Sequence, residues 1–173
     1  MELCRSLVGG KPVAGSRPPI DKHYPATGEV IARIEPADET VLDQAVAVAA
    51  EAQREWGAHS GAERSAILQA AADGLRARND ELSRLEVMDV GKCYGEAVSA
   101  DVPSGADAMA FFASMAMTET GDMHRFGDAI AYCERVPPGV CACIGASNYP
   151  VPIALWTSAP ALAAGNAFTL TPS

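Results

Sequence analysis

The stretch from Val140 to Thr171 constrains the fold more than any other part of the 173-residue chain. Val140 to Ile144 is a short apolar run that reads as a buried strand, and Ala167-Phe168-Thr169-Leu170-Thr171 reads as a second. Between them lie a loop, Gly145-Ala146-Ser147-Asn148-Tyr149, and an apolar segment through Ala154, Leu155 and Ala159 that ends around Gly165. Pro152 suits the first turn of that helix, where an amide would have no partner to lose. Strand, loop, helix and strand make one βαβ unit, which sets an α/β class. A doubly wound sheet needs more strands than two, so the sheet reads as unfinished at Pro172-Ser173. The same stretch is not a membrane span, because Asn148, Pro150, Pro152, Pro160 and Gly165 interrupt a run that would need roughly 20 apolar residues.

Upstream the chain reads as β structure followed by helices. Ser6 to Val13 is a short strand with a Gly9-Gly10 turn signal, Pro25-Ala26-Thr27-Gly28 is a turn, and Val30 to Ile34 alternates as a strand, together a hairpin-like edge element. Asp38 is an N-cap with Glu39 in the first turn; Val41, Ala45, Ala49, Ala52 and Trp56 share one helical face, and Gly57 ends the run. A second helix opens with the capping box Ser60-Gly61-Ala62-Glu63 and is expected to bury Ile67, Leu68, Ala71 and Leu75. A third begins near Asn79, carries Leu82, Leu85 and Met88, and closes at Gly91. A fourth spans Glu96 to Ala116, with Pro103 kinking it or marking its true start. Thr118 to Gly127 reads as a polar connector, Ala129 to Val136 as a strand, and Pro137-Pro138-Gly139 as a turn.

Charge and cysteine usage narrow the functional classes. Thirteen basic against 22 acidic residues give a net charge of -9, which repels phosphate backbones and points away from nucleic acid. The acidity forms no tail and reads first as solubility, although it would also attract a cationic substrate. Cys4, Cys93, Cys133, Cys141 and Cys143 are an odd, irregular set that argues against a disulfide framework and for a reducing, cytoplasmic setting. Cys141-Ala142-Cys143 lacks the further ligands a zinc site needs, and i and i+2 on a strand share a face, so both read as buried small hydrophobes. No secretory signal pattern is visible at the N-terminus.

Several segments, in order, resemble the aldehyde dehydrogenase superfamily. These are Pro25-Ala26-Thr27-Gly28-Glu29-Val30-Ile31-Ala32, Glu63-Arg64-Ser65-x-Ile67-Leu68, Leu85-Glu86-x-x-Asp89-x-Gly91-Lys92, Arg135-x-Pro137-x-Gly139-Val140 and Ile144-Gly145-Ala146-x-Asn148-Tyr149-Pro150. The most specific block is Trp156-x-Ser158-Ala159-Pro160-Ala161-Leu162-Ala163-Ala164-Gly165-Asn166. Arg78-Asn79-Asp80-Glu81-Leu82, Gly105-Ala106-Asp107 and the Asn148-Tyr149-Pro150 form lean toward the betaine-aldehyde branch. The likeness runs almost end to end and corresponds to about the first third of a family member.

The resemblance implies a partial aldehyde dehydrogenase fold. Residues 1–128 would be a hairpin and helical layer of the coenzyme domain, 129–139 a strand of the oligomerisation element, and 140–173 the first βαβ unit of a Rossmann-like NAD-binding domain. It implies NAD or NADP as coenzyme, a small aldehyde as substrate and a homo-oligomer as the assembly. Asn148 matches the amide that holds the oxyanion, a preorganised donor worth roughly 10²–10³ in rate; the competing reading of Asn148 is a cap on the following helix. Ile144, Gly145, Ala146 and Ser147 match coenzyme contacts, and Thr171, Pro172 and Ser173 match the stretch that holds the adenosine ribose. Asp89 matches a position near a potassium ion bound largely by backbone carbonyls.

The chain departs from the family pattern at three of these positions. Ser147 stands where the family has Trp, and Thr157 and Thr171 where it has Lys. The resemblance gives the lysine at the position of Thr157 to a charge relay and the one at that of Thr171 to the ribose hydroxyls. A short neutral hydroxyl replaces neither ammonium, so weakened NAD binding is expected. The resemblance also puts the nucleophilic Cys, the general-base Glu and a second Gly-containing coenzyme loop past Ser173, and none of the five cysteines or of His23, His59 and His124 forms a nucleophile motif. Two readings result: a portion of an aldehyde-oxidising enzyme that is inactive alone, or a non-enzymatic remnant that associates through an exposed strand edge.

Overall fold

A computed structural model describes residues 2–172 and gives nine strands and six α-helices. Its first sheet is formed by β1 (Glu2–Cys4), β4 (Ile20–His23) and β5 (Val30–Ile34) in the order β1-β5-β4, with β1 parallel and β4 antiparallel to β5. β2 (Ser6–Val8) and β3 (Lys11–Val13) make a separate hairpin closed at Gly9 and Gly10, both at positive φ, where glycine meets no Cβ penalty. The expected Ser6–Val13 strand is therefore two strands, and β1 and β4 are additions. β4 carries one apolar residue; its identity comes from pairing with β5, where Asp21 faces Arg33 in register and the two side chains bond at 2.8 Å.

The helical layer follows. α1 (Glu39–Ala58) is capped by Asp38, whose carboxylate accepts from the Val41 amide at 3.0 Å and the Ser16 amide at 2.8 Å. The Ser16 side chain, then the Val41 amide and the Ser16 amide, hold this carboxyl down to about 2. Val41 and Ala49 are buried on the expected face, but Ala52 is exposed and the helix runs one residue past Gly57. α2 (Gly61–Ala77) carries both arms of the capping box: the Ser60 amide donates to Glu63 Oε2 at 2.7 Å and the Glu63 amide to Ser60 Oγ at 3.3 Å. Its buried stripe is Leu68 and Ala72, with Leu75 half-buried, whereas the expected Ile67 and Ala71 face solvent. The neighbouring helix approaches about one position round from where hydrophobic spacing alone centres the stripe.

α3 (Asn79–Val90) departs further. Leu85 is 56% exposed and Met88 is exposed, while Ser83 and Glu86 are buried. Gly91 closes the helix in the left-handed region as expected. The fourth expected helix is three pieces: a short turn α4 (Tyr94–Glu96), a π-helical turn over Ala97–Asp101, and α5 (Val102–Met115). Pro103 sits in the first turn of α5, so the missing amide falls where the chain changes helical type, and the proline marks a start.

The core joins α2, α5 and α6 (Pro150–Ala163) through Leu68, Ala72, Met109, Ala113, Ala116, Ala159 and Ala163. Alanines let these helices approach closely, and a Cβ on Gly105 of α5 would stand 2.4 Å from Leu155 Cδ1 of α6. The polar connector expected at Thr118–Gly127 contains a strand: β6 (Met123–Phe126) pairs antiparallel with β7 (Ala129–Tyr132), and both are exposed throughout. β7 stops at Tyr132 rather than Val136, and residue 128 falls in the turn of this hairpin.

β8 (Val140–Ile144) and β9 (Ala167–Thr171) pair in parallel across α6, with Val140 opposite Ala167 and Ile144 opposite Thr171. This is the βαβ unit expected from sequence. β8 buries one face instead of two: Cys143 is buried, but Ala142 is exposed and Ile144 is 80% exposed. No helix among the described residues is long and apolar enough to cross a membrane.

Candidate functional site

The end of α6 is held by side chains from far along the chain. The last carbonyls of a helix lack partners within it. Here Trp56 Nε1 donates to the Leu162 carbonyl at 2.9 Å, Arg64 Nε to Ala163 at 3.1 Å and Gln53 Nε2 to Gly165 at 3.0 Å. Asn166, 3% exposed, accepts the Gly139 amide on Oδ1 at 2.9 Å, while the Ala167 amide donates to the Gly139 carbonyl at 2.9 Å. Both strands of the parallel pair therefore start from one pinned point, and their carboxyl ends emerge together.

At those ends the Gly145 amide donates to the Thr171 carbonyl at 2.8 Å, so the loop leaves the sheet beside the last residue of β9. Ile144, Ala146, Ser147, Asn148, Thr171 and Pro172 are exposed and Gly145 is half-buried. The fold thus brings Ile144 and Gly145, the start of the loop, beside Thr171 at the strand carboxyl ends, the side of an open α/β sheet where ligands bind. Ser173 lies outside the described residues. The N-cap of α6 is Tyr149, with no side-chain cap bond, so the capping reading of Asn148 is not met. Its amide is exposed and makes no hydrogen bond to another described side chain or backbone group.

Two expected positions look different in place. The Thr157 hydroxyl donates to the Ile153 carbonyl at 2.8 Å and lies 3.3 Å from that of Ala154, so it is engaged by its own helix. Asp89 pairs with Lys22 of β4 at 2.7 Å, which neutralises the carboxylate without a metal, and no cluster of three His, Cys, Asp or Glu suited to a metal occurs among the described residues. All five cysteines are free. A recess of about 450 Å³ lined by Gly61, Arg64, Met117, Glu119 and Arg135, among others, shares no residue with the loop.

Sequence reasoning missed a charged cluster behind the loop. Glu86 and Asp101, each 2% exposed, flank the Lys92 ammonium: Lys92 bonds Asp101 Oδ2 and lies 3.4 Å from Glu86 Oε1. Glu86 Oε2 has no hydrogen-bond partner among the described residues. Burial pushes the Glu86 carboxyl above its usual range against the pull of Lys92. Burial also pulls the Lys92 ammonium down, but the bond to Asp101 and the charges of Asp101 and Glu86 carry it above its ordinary value. The same ammonium stands 4.1 Å from the centre of the Tyr149 ring, and the Tyr149 hydroxyl donates to Glu96 Oε1 at 3.3 Å. The signal available in sequence was the Glu86-x-x-Asp89-x-Gly91-Lys92 spacing, which by itself reads as a solvated helix end.

The chain from residue 13 to 173 matches the model of the aldehyde dehydrogenase family. It is 48% identical over 170 residues to a betaine aldehyde dehydrogenase of Cereibacter sphaeroides, covering 96% of this chain and 35% of that protein. With a betaine aldehyde dehydrogenase of Agrobacterium fabrum it shares 49% identity over 156 residues, covering 90% and 32%. Among solved structures, an indole-3-acetaldehyde dehydrogenase of P. syringae in complex with NAD+ and IAA superposes with a TM-score of 0.94 at 28% identity, covering 98% of this chain and 35% of that one. The chain thus spans about a third of the length of the curated relatives it matches. The family match over residues 13–173, the identity of nearly half to curated members and the shared fold make this chain a member of the aldehyde dehydrogenase family.

Proposed function

We propose that residues 140–173 are the first βαβ unit of a coenzyme-binding domain, that Ile144 to Ser147 with Thr171 to Ser173 border an NAD or NADP site, and that Asn148 is the oxyanion donor for aldehyde oxidation. The observation that carries this reading is the Asn148 side chain, exposed and uncommitted in the loop between β8 and α6. The loop fits a nicotinamide coenzyme: Gly145 and Ala146 present little side chain to an approaching ring. When bound, the coenzyme supplies the hydride acceptor. In this role the free Asn148 Nδ2–H donates to the oxygen that gains negative charge as the aldehyde carbon becomes tetrahedral. The Thr157 hydroxyl is neutral, short and bonded to the Ile153 carbonyl of its own helix, so it does not replace a relaying ammonium, and Thr171 offers the ribose a neutral hydroxyl in place of a cation.

Betaine aldehyde is the substrate we assign to the complete enzyme, on the strength of the 48–49% identity to betaine aldehyde dehydrogenases and a net charge of -9 that favours a cation. The exposed β6–β7 hairpin, with Met123, Phe126, Ile130 and Tyr132 uncovered, is the surface we assign to homo-oligomer assembly; a monomeric mass in solution would argue against that. Free thiols suit a reducing compartment such as the cytoplasm. Titrating the protein with NAD and following its melting temperature tests the site, since binding stabilises by RT ln(1 + [L]/Kd). A rise at millimolar NAD is expected, and Thr171→Lys should tighten binding about tenfold, the worth of one charge-assisted hydrogen bond. No rise in either protein would favour the non-enzymatic association module instead.

A further inference from the structure

We propose that Lys92, clamped between the buried carboxylates of Glu86 and Asp101, is a positioning residue that fixes the Asn148-Tyr149 turn and so aims the Asn148 amide. This rests on the reading of Asn148 as oxyanion donor and deepens it.

The geometry is specific. Tyr149 is the residue after Asn148 and the N-cap of α6, yet no side-chain hydrogen bond caps that helix. The Tyr149 carbonyl accepts from the Ile153 amide in the first turn of α6, and its side-chain contacts are made by the ring and its hydroxyl. One face of the ring meets the Lys92 ammonium at 4.1 Å, and the hydroxyl is bonded to Glu96. A cation over an aromatic face holds the ring in orientation as well as position. Lys92 in turn cannot wander: it lies just past the left-handed Gly91 that ends α3, bonds Asp101 at the end of the π-helical turn, and has Glu86 of α3 at 3.4 Å. A lysine on a flexible stem fixes nothing unless its own head is fixed. Two carboxylates with almost no solvent exposure around one ammonium achieve that, and they place two carboxyl groups where one would neutralise the charge. The π-helical turn contributes by bringing Asp101 inward, since its last residue is the one that carries the bond.

The test is carried out by NMR on the full chain, reading the Asn148 side-chain amide pair and the Tyr149 ring signals. Lys92→Met removes the cation at similar length, and Lys92→Arg keeps a cation that also stacks on aromatic faces. The expected result is that Lys92→Met shifts and broadens the Asn148 pair while Lys92→Arg keeps it sharp and near its original place. If Lys92→Met alone does not fold, the double variant Lys92→Met with Asp101→Asn removes one charge of each sign and should show the same shift. An Asn148 pair that stays put in whichever of these folds, with only the melting temperature lowered, overturns the proposal and leaves Lys92 a stabilising residue. The readout needs no coenzyme, so failure of NAD to bind the unmodified protein counts against the coenzyme site and not against the positioning role.

Discussion

The βαβ unit and the segment around α3 hold their shape by opposite means. From Val136 to Ser173 no Asp, Glu, Lys or Arg occurs, and three of the polar side chains there, Thr157, Ser158 and Asn166, bond backbone groups. Between Asn79 and Asp101 stand eight charged residues, Asp80, Glu81, Arg84, Glu86, Asp89, Lys92, Glu96 and Asp101, and two of the carboxylates are buried. The unit proposed to border a charged coenzyme is thus itself uncharged. The charge near its loop is imported from a neighbouring segment through the Lys92–Tyr149 contact. Keeping the two apart lets the loop stay small and open while the electrostatics are set from behind it.

That division can be broken from the charged side first. Lys92→Met leaves two buried carboxylates facing each other, and breaking a buried pair in this way costs about 3–5 kcal/mol. Urea unfolding should show it as the largest loss of the set; a cost below that of a surface ion pair would mean the pocket opens to water. On the uncharged side, Asn166→Ala takes the side-chain partner from the half-buried Gly139 amide, at a cost of about 1–2 kcal/mol. Hydrogen exchange should localise that loss to β8 and β9, and an unchanged exchange pattern would deny Asn166 its pinning role. The smallest effect concerns pH. The folded-state carboxyl of Glu86 is raised above its ordinary 4.5, so its contribution is complete below that value and is lost as pH rises through the raised one. Glu86→Gln should remove this part of the pH dependence, a slope of at most about 1.4 kcal/mol per pH unit. Stability curves of the two proteins running parallel from acid to neutral pH would contradict it.

Legibility in the sequence follows the same boundary. The βαβ unit was readable because each of its parts is local: a five-residue apolar run, a small-residue loop, a proline in the first helical turn and a second five-residue run; the register in which the two runs pair came from the structure. The Asp38 cap and the Ser60–Glu63 box were readable for the same reason, since their bonds span three residues. The π-helical turn was not, because Pro103 says where an amide is missing but not how the chain compensates upstream. Nor was the inward face of α3, where spacing puts Leu85 and Met88 inside and the fold buries Ser83 and Glu86.

What the sequence by itself determined, then, is the set of elements whose hydrogen bonds close within a few residues, together with the family whose motifs those elements carry. Tertiary structure decided which face of each helix turns inward, that β8 is covered on one side, and that Trp56, Arg64 and Gln53 finish a helix 99 to 112 residues away. It also decided that Glu86 is interior. Burying a carboxylate is costly unless a cation is held against it, and the cation that makes Glu86 tolerable is fixed by Asp101, on a different segment of the chain.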